Sequence, residues 1–128
     1  ENDLYYKRLC MYEKDAKRLE FLLEKIADIF NYQSRYPNLE FLLQDKMGWD
    51  AVTMCIQQIG EVIKNKLTKE FQKDFGHRLP IQEAYWTRNY IVHDYENIDK
   101  TIIISIITAE LPKLQKDIED ILHEIGNI

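Results

Sequence analysis

The fold class depends on the stretch Thr101-Ile102-Ile103-Ile104-Ser105-Ile106-Ile107. β-Branched residues in series favour a β-strand, but the apolar spacing of a helix continues from this stretch to the C-terminus. The chain also offers no second strand for pairing, so the stretch predicts a helix that Pro112 kinks or divides in two. The apolar positions that keep the helical spacing are Ile102, Ile106 or Ile107, Leu111, Leu114, Ile118, Ile121, Leu122 and Ile125.

Helical periodicity also runs through the chain before this stretch. Over residues 5–30, apolar residues recur at steps of four and three, which predicts one long amphipathic helix. Tyr36-Pro37-Asn38 ends that helix, because the residue before a proline avoids the helical region, and Asn38 is a suitable N-cap for a helix that opens at Leu39. This second tract is expected to pause at Met47-Gly48-Trp49-Asp50, where Asp50 is a candidate cap.

The helix after this pause carries Gly60 in its interior. A helical glycine costs about 1 kcal/mol relative to alanine, so we expect a close helix crossing or an approaching ligand there. Further along, Gly76-His77 predicts a helix stop, Pro80 suits the first turn of a helix over residues 81–93, and Asp99 is expected to cap the next helix. The expected fold is therefore all-α: an up-and-down bundle of four main helices with one or two short extra helices, in a single domain over residues 1–128.

Composition limits the possible functions. Hydrophobic residues make up 45% of the chain and charged residues 30%, as in an ordinary globular protein. No apolar run approaches the ~18 residues that span a bilayer, and Cys10 and Cys55 show no metal-ligand spacing, so we expect a reduced, cytoplasmic protein without a membrane segment. The excess of 22 acidic over 17 basic residues argues against general adhesion to nucleic acid.

Several catalytic motifs are absent from the sequence. It contains neither the glycine-rich phosphate loop nor the Gly-x-Ser-x-Gly turn that presents a nucleophilic serine. A di-iron site in a helical bundle needs two carboxylate–histidine pairs, and Asp120-x-x-His123 is the only such pair. We therefore expect no metal and no other cofactor.

The strongest candidate site lies in Arg88-Asn89-Tyr90-Ile91-Val92-His93-Asp94-Tyr95. Arg88 falls among apolar residues at helical spacing, and its guanidinium stays charged, so it requires an anionic partner, a water-filled groove or a second subunit. Tyr95 lies two turns beyond Arg88 on the same helix face, whereas His93 points about 140° away from it. Arg88 and His93 therefore converge only if the helix end loosens or two chains build the groove. The apolar residues of this expected buried stripe are Ile81, Ala84, Tyr85, Ile91 and Val92.

Other residues are weaker candidates for the same site. Glu61 is interpreted either as a solvated carboxylate or as the partner of Arg88. Trp86 is a candidate for stacking on a nucleobase, although most aromatic residues at helical spacing belong to a core or a subunit interface. A basic cluster over residues 64–78 is either a solvated helix surface or a local contact for RNA. Its basic side chains are Lys64, Lys66, Lys69, Lys73 and Arg78.

The string at Arg88 has the form Arg-x-x-x-x-His-x-Tyr and resembles the motif of the HEPN superfamily. It is most similar to the HepT-like toxins, which are encoded beside minimal nucleotidyltransferase antitoxins. The Ile59-Gly60-Glu61 step and Trp86 shortly before the motif add to the resemblance, which spans roughly residues 19–122.

The resemblance implies a metal-independent endoribonuclease, working as a homodimer whose paired motif helices form one cleft. Arg88 would then stabilise charge on the phosphorane, His93 would act as acid or base, and Asn89 would orient the phosphate or His93. Tyr95 matches the tyrosine to which the nucleotidyltransferase attaches AMP, which silences the toxin. The alternative is a HEPN module without activity that binds a nucleotide or a partner protein.

Overall fold

A computed structural model describes residues 10–126. Tyr5 and Leu9, which belong to the first predicted helix, lie outside these residues. Every regular element within them is helical, so the predicted all-α fold is confirmed. The helices are α1 (Glu13–Ser34), α2 (Leu39–Gln44), α3 (Lys46–Asn65), α4 (Lys69–Phe75), α5 (Ile81–Asp94), α6 (Lys100–Ser105) and α7 (Leu111–Glu124).

The described residues form the predicted bundle of four long helical stretches. These are α1, α3, α5 and the continuous run of α6 and α7, while α2 and α4 are the short extra helices. Single 3-10 turns, Gly76–Arg78 and Tyr95–Asn97, follow α4 and α5. In the same part of the chain, no helix has the length and apolar character needed to cross a membrane.

Side-chain caps start three of the helices. The Asn38 side chain accepts a hydrogen bond from the amide of Phe41 at 3.0 Å, and the Asp99 side chain accepts one from Thr101 at 2.9 Å, as the sequence predicts. Thr68 caps α4 and is itself held by Asp15, a fully buried carboxylate on α1 that accepts from the amide and the hydroxyl of Thr68. This contact fixes α1 against the start of α4.

The predicted pause at residues 47–50 was wrong. The chain breaks at Asp45, which separates α2 from α3, and Gly48 lies within α3. A side-chain carbon on Gly48 would clash with the carbonyl oxygen of Leu42, so this glycine permits α2 and α3 to meet closely rather than ending a helix. Asp50, the candidate cap, is consequently inside α3.

Pro112 divides the last helical stretch, as expected. Proline has no N–H, and its ring crowds the carbonyl group four residues before it. Just ahead of it the chain widens into a π turn over Ile106–Glu110, in which the amide of Leu111 donates to the carbonyl oxygen of Ile106. The wider turn buries both Ile106 and Ile107, between which the helical spacing did not decide.

The core is aliphatic and lies between α1, α3 and α7. The side chains that fill its centre are Leu19, Leu22, Ile26, Ile29, Val52, Ile56, Ile59, Ile63, Leu114, Ile118, Ile121 and Leu122. All of them were expected from the 3-4 spacing of the sequence, except Leu22 and Ile29, which lie beside expected positions.

Helix α5 packs on α3 at Gly60. A side-chain carbon on Gly60 would lie 2.8 Å from the carbonyl oxygen of Ala84 and 2.8 Å from the Cβ of Arg88, so the close helix crossing predicted there is confirmed. The buried stripe predicted for α5 was wrong at Tyr85 and Val92, whose exposed fractions are 42% and 40%. Ile91 is the one fully buried residue of α5, whereas these two side chains lie at the margin of the contact with α3.

Candidate functional site

Arg88 is anchored on α3 by a carboxylate. Its Nε lies 3.2 Å from Oε2 of Glu61, one residue after the glycine at which the two helices cross. Both atoms are buried, and within residues 10–126 neither has a partner with hydrogen-bond geometry, so the contact is an ion pair. Of the two interpretations of Glu61, the structure supports the one that makes it the partner of Arg88.

The Glu61–Arg88 pair is held at both ends. The other carboxylate oxygen of Glu61 accepts a hydrogen bond from the side-chain amide of Asn65 at 3.1 Å. About a third of the Arg88 side chain is exposed, so its guanidinium is fixed in place while part of it still faces solvent. A fixed cation with an open side is suited to binding an anionic group such as a phosphate.

Asn89 connects Arg88 to the outer side of α5. Its side-chain oxygen accepts a hydrogen bond from Nη1 of Arg88 at 3.0 Å. Asn89 and His93 are four residues apart and therefore neighbours on the helix surface. The Asn89 amide group thus lies between the anchored guanidinium and the histidine.

His93 is exposed on the last turn of α5. It has no hydrogen bond or ion pair within the described residues. The structure brings together Arg88, Asn89 and Glu61, but within one chain it does not bring His93 to Arg88, because five helical residues turn the two side chains about 140° apart.

Tyr95 lies just beyond the end of α5 and, like Arg88, contacts α3, which agrees with the prediction that the two side chains share one side of the motif helix. Helix α5 ends at Asp94, and Tyr95 begins the 3-10 turn. Its hydroxyl donates a hydrogen bond to Oδ1 of Asp50 near the start of α3. Asp50 is eleven residues before Glu61, so the Tyr95 hydroxyl and the Arg88 guanidinium contact α3 at points about 16 Å apart.

Asp50 is a residue of this site that the sequence interpretation missed. Its Oδ2 lies 3.1 Å from Nζ of Lys46, and the hydrogen bonds from Tyr95 and Lys46 hold the pKa of Asp50 below its usual value. Burial, and then the hydrogen bond to Asp50, raise the pKa of Tyr95, which therefore remains a phenol at neutral pH. The available signal was the spacing of Asp50 and Glu61, because eleven residues make three helical turns and place both carboxylates on one face.

Trp86 is exposed and stacks on Tyr90, with ring centroids 4.9 Å apart and an interplanar angle of 20°. The Tyr90 hydroxyl accepts a hydrogen bond from the amide of Asp99, so the inner ring of the stack is held in place. Trp86 is therefore not a core residue. Together with Tyr85, Val92 and His93 it forms what we call the open face of α5.

The structure separates the basic residues that the sequence grouped. Lys64 lies over the ring of Tyr85, with Nζ 4.6 Å from the centroid, and so reaches the open face of α5. Lys66 and Lys69 are exposed at the connection from α3 to α4, and nothing places them against Arg88. Arg78 pairs with Glu124 on α7.

The arrangement holds no evident metal centre in the described residues. No three side chains among their His, Cys, Asp and Glu residues come close enough together to bind an ion. The polar groups of the site are the guanidinium of Arg88, the amide of Asn89, the imidazole of His93, the phenol of Tyr95 and the carboxylates of Glu61 and Asp50.

Comparison with known proteins decides which family has this arrangement. The profile of the family described as "Ribonuclease HepT-like" matches residues 22–121, which include all of α3 and α5 and the Arg88-to-Tyr95 motif. The chain belongs to the HepT-like ribonuclease family. The resemblance stated from the motif is thereby confirmed.

Two relatives of this HepT-like protein are similar to it over most of their length. A protein of Methanocaldococcus jannaschii named "Putative RNase MJ1216" is 28% identical over 116 residues, which are 90% of this chain and 93% of its own. A protein of Caldanaerobacter subterraneus subsp. tengcongensis named "Putative RNase TTE0752" is 30% identical over 112 residues, covering 88% and 91%. No solved structure matches the chain.

Proposed function

We propose that this HepT-like protein is an endoribonuclease that needs no metal ion. The 2′-hydroxyl of the RNA attacks the adjacent phosphorus, the bond to the 5′ oxygen breaks, and a 2′,3′-cyclic phosphate and a 5′-hydroxyl remain. Such a reaction needs a group that moves protons near neutral pH and a cation that stabilises the phosphorane.

Three side chains have the required chemistry. Arg88, fixed by Glu61, supplies the positive charge. His93 is the acid or base, and its exposed imidazole can reach a substrate. Asn89 orients the phosphate or His93 from its position between them. Lys64 and Trp86 at the open face of α5 support the bound RNA, and Lys66 and Lys69 add positive charge farther away.

The active form is a homodimer in which two motif helices form one cleft. Support comes from the divergence of Arg88 and His93 within one chain, which a second chain related by a two-fold axis would resolve. The open face of α5 supports it as well, because it exposes large apolar side chains beside the motif.

The ribonuclease is the toxin of a toxin–antitoxin pair and is silenced at Tyr95. A minimal nucleotidyltransferase partner would attach AMP there: the phenolic oxygen bonds to the α-phosphorus of ATP, pyrophosphate leaves, and the phenolic proton is released. Tyr95 is exposed and only two residues beyond His93, so the ester adds bulk and negative charge beside the proposed acid or base.

The observation that carries the proposal is the anchored Arg88 on the motif helix of a HepT-like chain. The test is incubation of the protein with single-stranded RNA in EDTA, alongside Arg88→Ala and His93→Ala variants whose folding is checked by circular dichroism. We expect cleavage by the unmodified protein, products ending in cyclic phosphate, and a loss of about 100-fold or more in either variant.

An otherwise identical 2′-deoxy oligonucleotide is the matched control, because it lacks the attacking hydroxyl and should stay intact. Equal and negligible cleavage of RNA by all three proteins would refute the proposal and favour the HEPN module without activity. For the silencing step, mass spectrometry after incubation with the nucleotidyltransferase and ATP should locate AMP on Tyr95, and AMP on another residue would refute that assignment.

A further inference from the structure

The end of α5 that carries His93 has few attachments to the bundle. Residues 92–97 are six consecutive exposed residues, and α5 ends without a backbone cap. Within the described part of the chain, the side-chain hydrogen bonds of these six residues belong to Tyr95, whose partners are Asp50 and Thr53. Both partners lie on α3, and Asp50 is the charged one.

Helix α3 supports the motif at two points. Asp50 and Glu61 lie on one face of this helix, three turns apart. Glu61 meets Arg88, and Asp50 meets Tyr95. Because α3 is a single uninterrupted helix, the distance between the two supports is fixed.

Asp50 is itself held in place. Lys46, one turn earlier on α3, contacts both of its carboxylate oxygens, at 3.4 and 3.1 Å. The hydrogen bond from Tyr95, and then those from Lys46, lower the pKa of Asp50, so the carboxylate is ionised at neutral pH. An ionised acceptor makes a stronger hydrogen bond to a phenol than a neutral one does.

We propose that Asp50 is a positioning residue for RNA cleavage: through the hydroxyl of Tyr95 it fixes the last turn of α5, and with it His93. The inference rests on the proposed function, because it assigns His93 the acid or base role. Tyr95 is also the proposed site of AMP attachment, and an ester there has no phenolic proton to donate and brings negative charge against Asp50. Modification thus breaks the same contact.

The first test compares cleavage by Asp50→Ala, Tyr95→Phe and the double variant. Each is expected to lower kcat about tenfold with KM nearly unchanged, because Arg88 and Glu61 are untouched and only the placement of His93 suffers. The double variant should lose no more than either single one, since both remove the same bond. Asp50→Asn should retain most of the activity, because an amide oxygen still accepts from the phenol.

The matched control is Asp120→Ala, which removes a carboxylate of similar exposure from the Lys116–Asp120 pair on α7. It should leave kcat unchanged. If Asp50→Ala cleaves as fast as the unmodified protein while Arg88→Ala does not cleave, the inference is wrong and the ribonuclease proposal stands.

A second measurement does not depend on activity. The ring signals of His93 in proton NMR, assigned by their loss in a His93→Gln variant, should shift in Asp50→Ala and in Tyr95→Phe but not in Asp120→Ala. The signals of His77 and His123 should stay in place in Asp50→Ala. Unmoved His93 signals would overturn the inference whether or not the protein cleaves RNA. A protein that cleaves nothing would refute the proposed function and with it the role of Asp50 in cleavage, while shifted His93 signals would still show that Asp50 positions His93.

Discussion

Helices α5 and α7 are both fourteen residues long and pack against the bundle very differently. Helix α7 buries a full apolar stripe, whereas α5 buries only Ile91. The stripe of α7 consists of Leu111, Leu114, Ile118, Ile121 and Leu122. Within one chain, the apolar residues of α7 are buried, whereas several apolar residues of α5 remain exposed. The helix with the exposed apolar residues is also the helix that carries the motif.

The largest expected effect concerns α7, the helix with the buried stripe. Ile118→Ala removes a fully buried side chain from α7 and is expected to lower the free energy of unfolding by about 2–5 kcal/mol. Val92→Ala on α5 should change it by less than about 0.5 kcal/mol in the monomer. Urea denaturation of both variants at low protein concentration measures the two changes in the free energy of unfolding. Losses of similar size would show that α5 is as tightly packed as α7.

The next effect concerns the crossing that attaches α5 to α3. Gly60→Ala should lower the free energy of unfolding by about 1–3 kcal/mol, because the new methyl group meets the backbone of Ala84 and the Cβ of Arg88. Helix propensity alone would give the opposite sign, since alanine is favoured by about 1 kcal/mol.

Gly76→Ala is the matched control for the crossing. The nearest atom to its added methyl group would be Cδ1 of Ile81 at 3.4 Å, and its backbone is in the αR conformation, so the unfolding free energy should stay the same or rise by up to about 1 kcal/mol. A stabilised Gly60→Ala protein would mean that the two helices can separate at no cost.

A smaller effect should appear in the association of two chains through the open face of α5. Val92→Lys puts a charge among the exposed apolar side chains and is expected to raise the dimer Kd about tenfold or more, as measured by analytical ultracentrifugation. Phe41→Lys, which changes an exposed apolar side chain on α2, should leave the Kd as it is. A monomeric unmodified protein at micromolar concentration would remove the shared-cleft proposal.

The smallest effect is a dependence on pH at the end of α5. Because the pKa of Asp50 is lower in the folded protein than its ordinary value of 3.8, its contacts stabilise the fold above that value, and this stability is lost as the pH falls through the folded-state pKa. The urea midpoints of the unmodified protein and Asp50→Ala should therefore differ at pH 7, and the difference should shrink as the pH falls below 3.8. A constant difference over this range would contradict the assignment.

Much of the fold could be predicted because it follows from local chemistry. The spacing around Ile118 predicts a buried stripe, and the side chains of Asn38 and Asp99 cap their helices. Gly60 indicates a close helix approach because it has no side chain. The family motif likewise identifies Arg88. These features need no knowledge of which helices are neighbours.

The errors arose where the answer depends on neighbouring helices. Tyr85 and Val92 fit a buried stripe by spacing, but no element among residues 10–126 covers them. The Tyr95–Asp50 hydrogen bond joins residues 45 positions apart, so it depends on the register of α5 along α3 and on where α5 ends. Periodicity within one helix contains neither quantity.

The π turn at Ile106–Glu110 has a consequence for changes in chain length. It uses one residue more than an α-helical turn, and a residue inserted into a regular helix rotates everything after it by about 100°. Here the wide turn accommodates the extra residue without that rotation, because Leu111 and Ile118 still face the core after it. A deletion of one residue within this turn, combined with Pro112→Ala, would leave an unbroken α-helix with α7 in its present orientation. We therefore expect the last helix to tolerate a one-residue deletion at this point, in the middle of the bundle, where such changes are usually excluded.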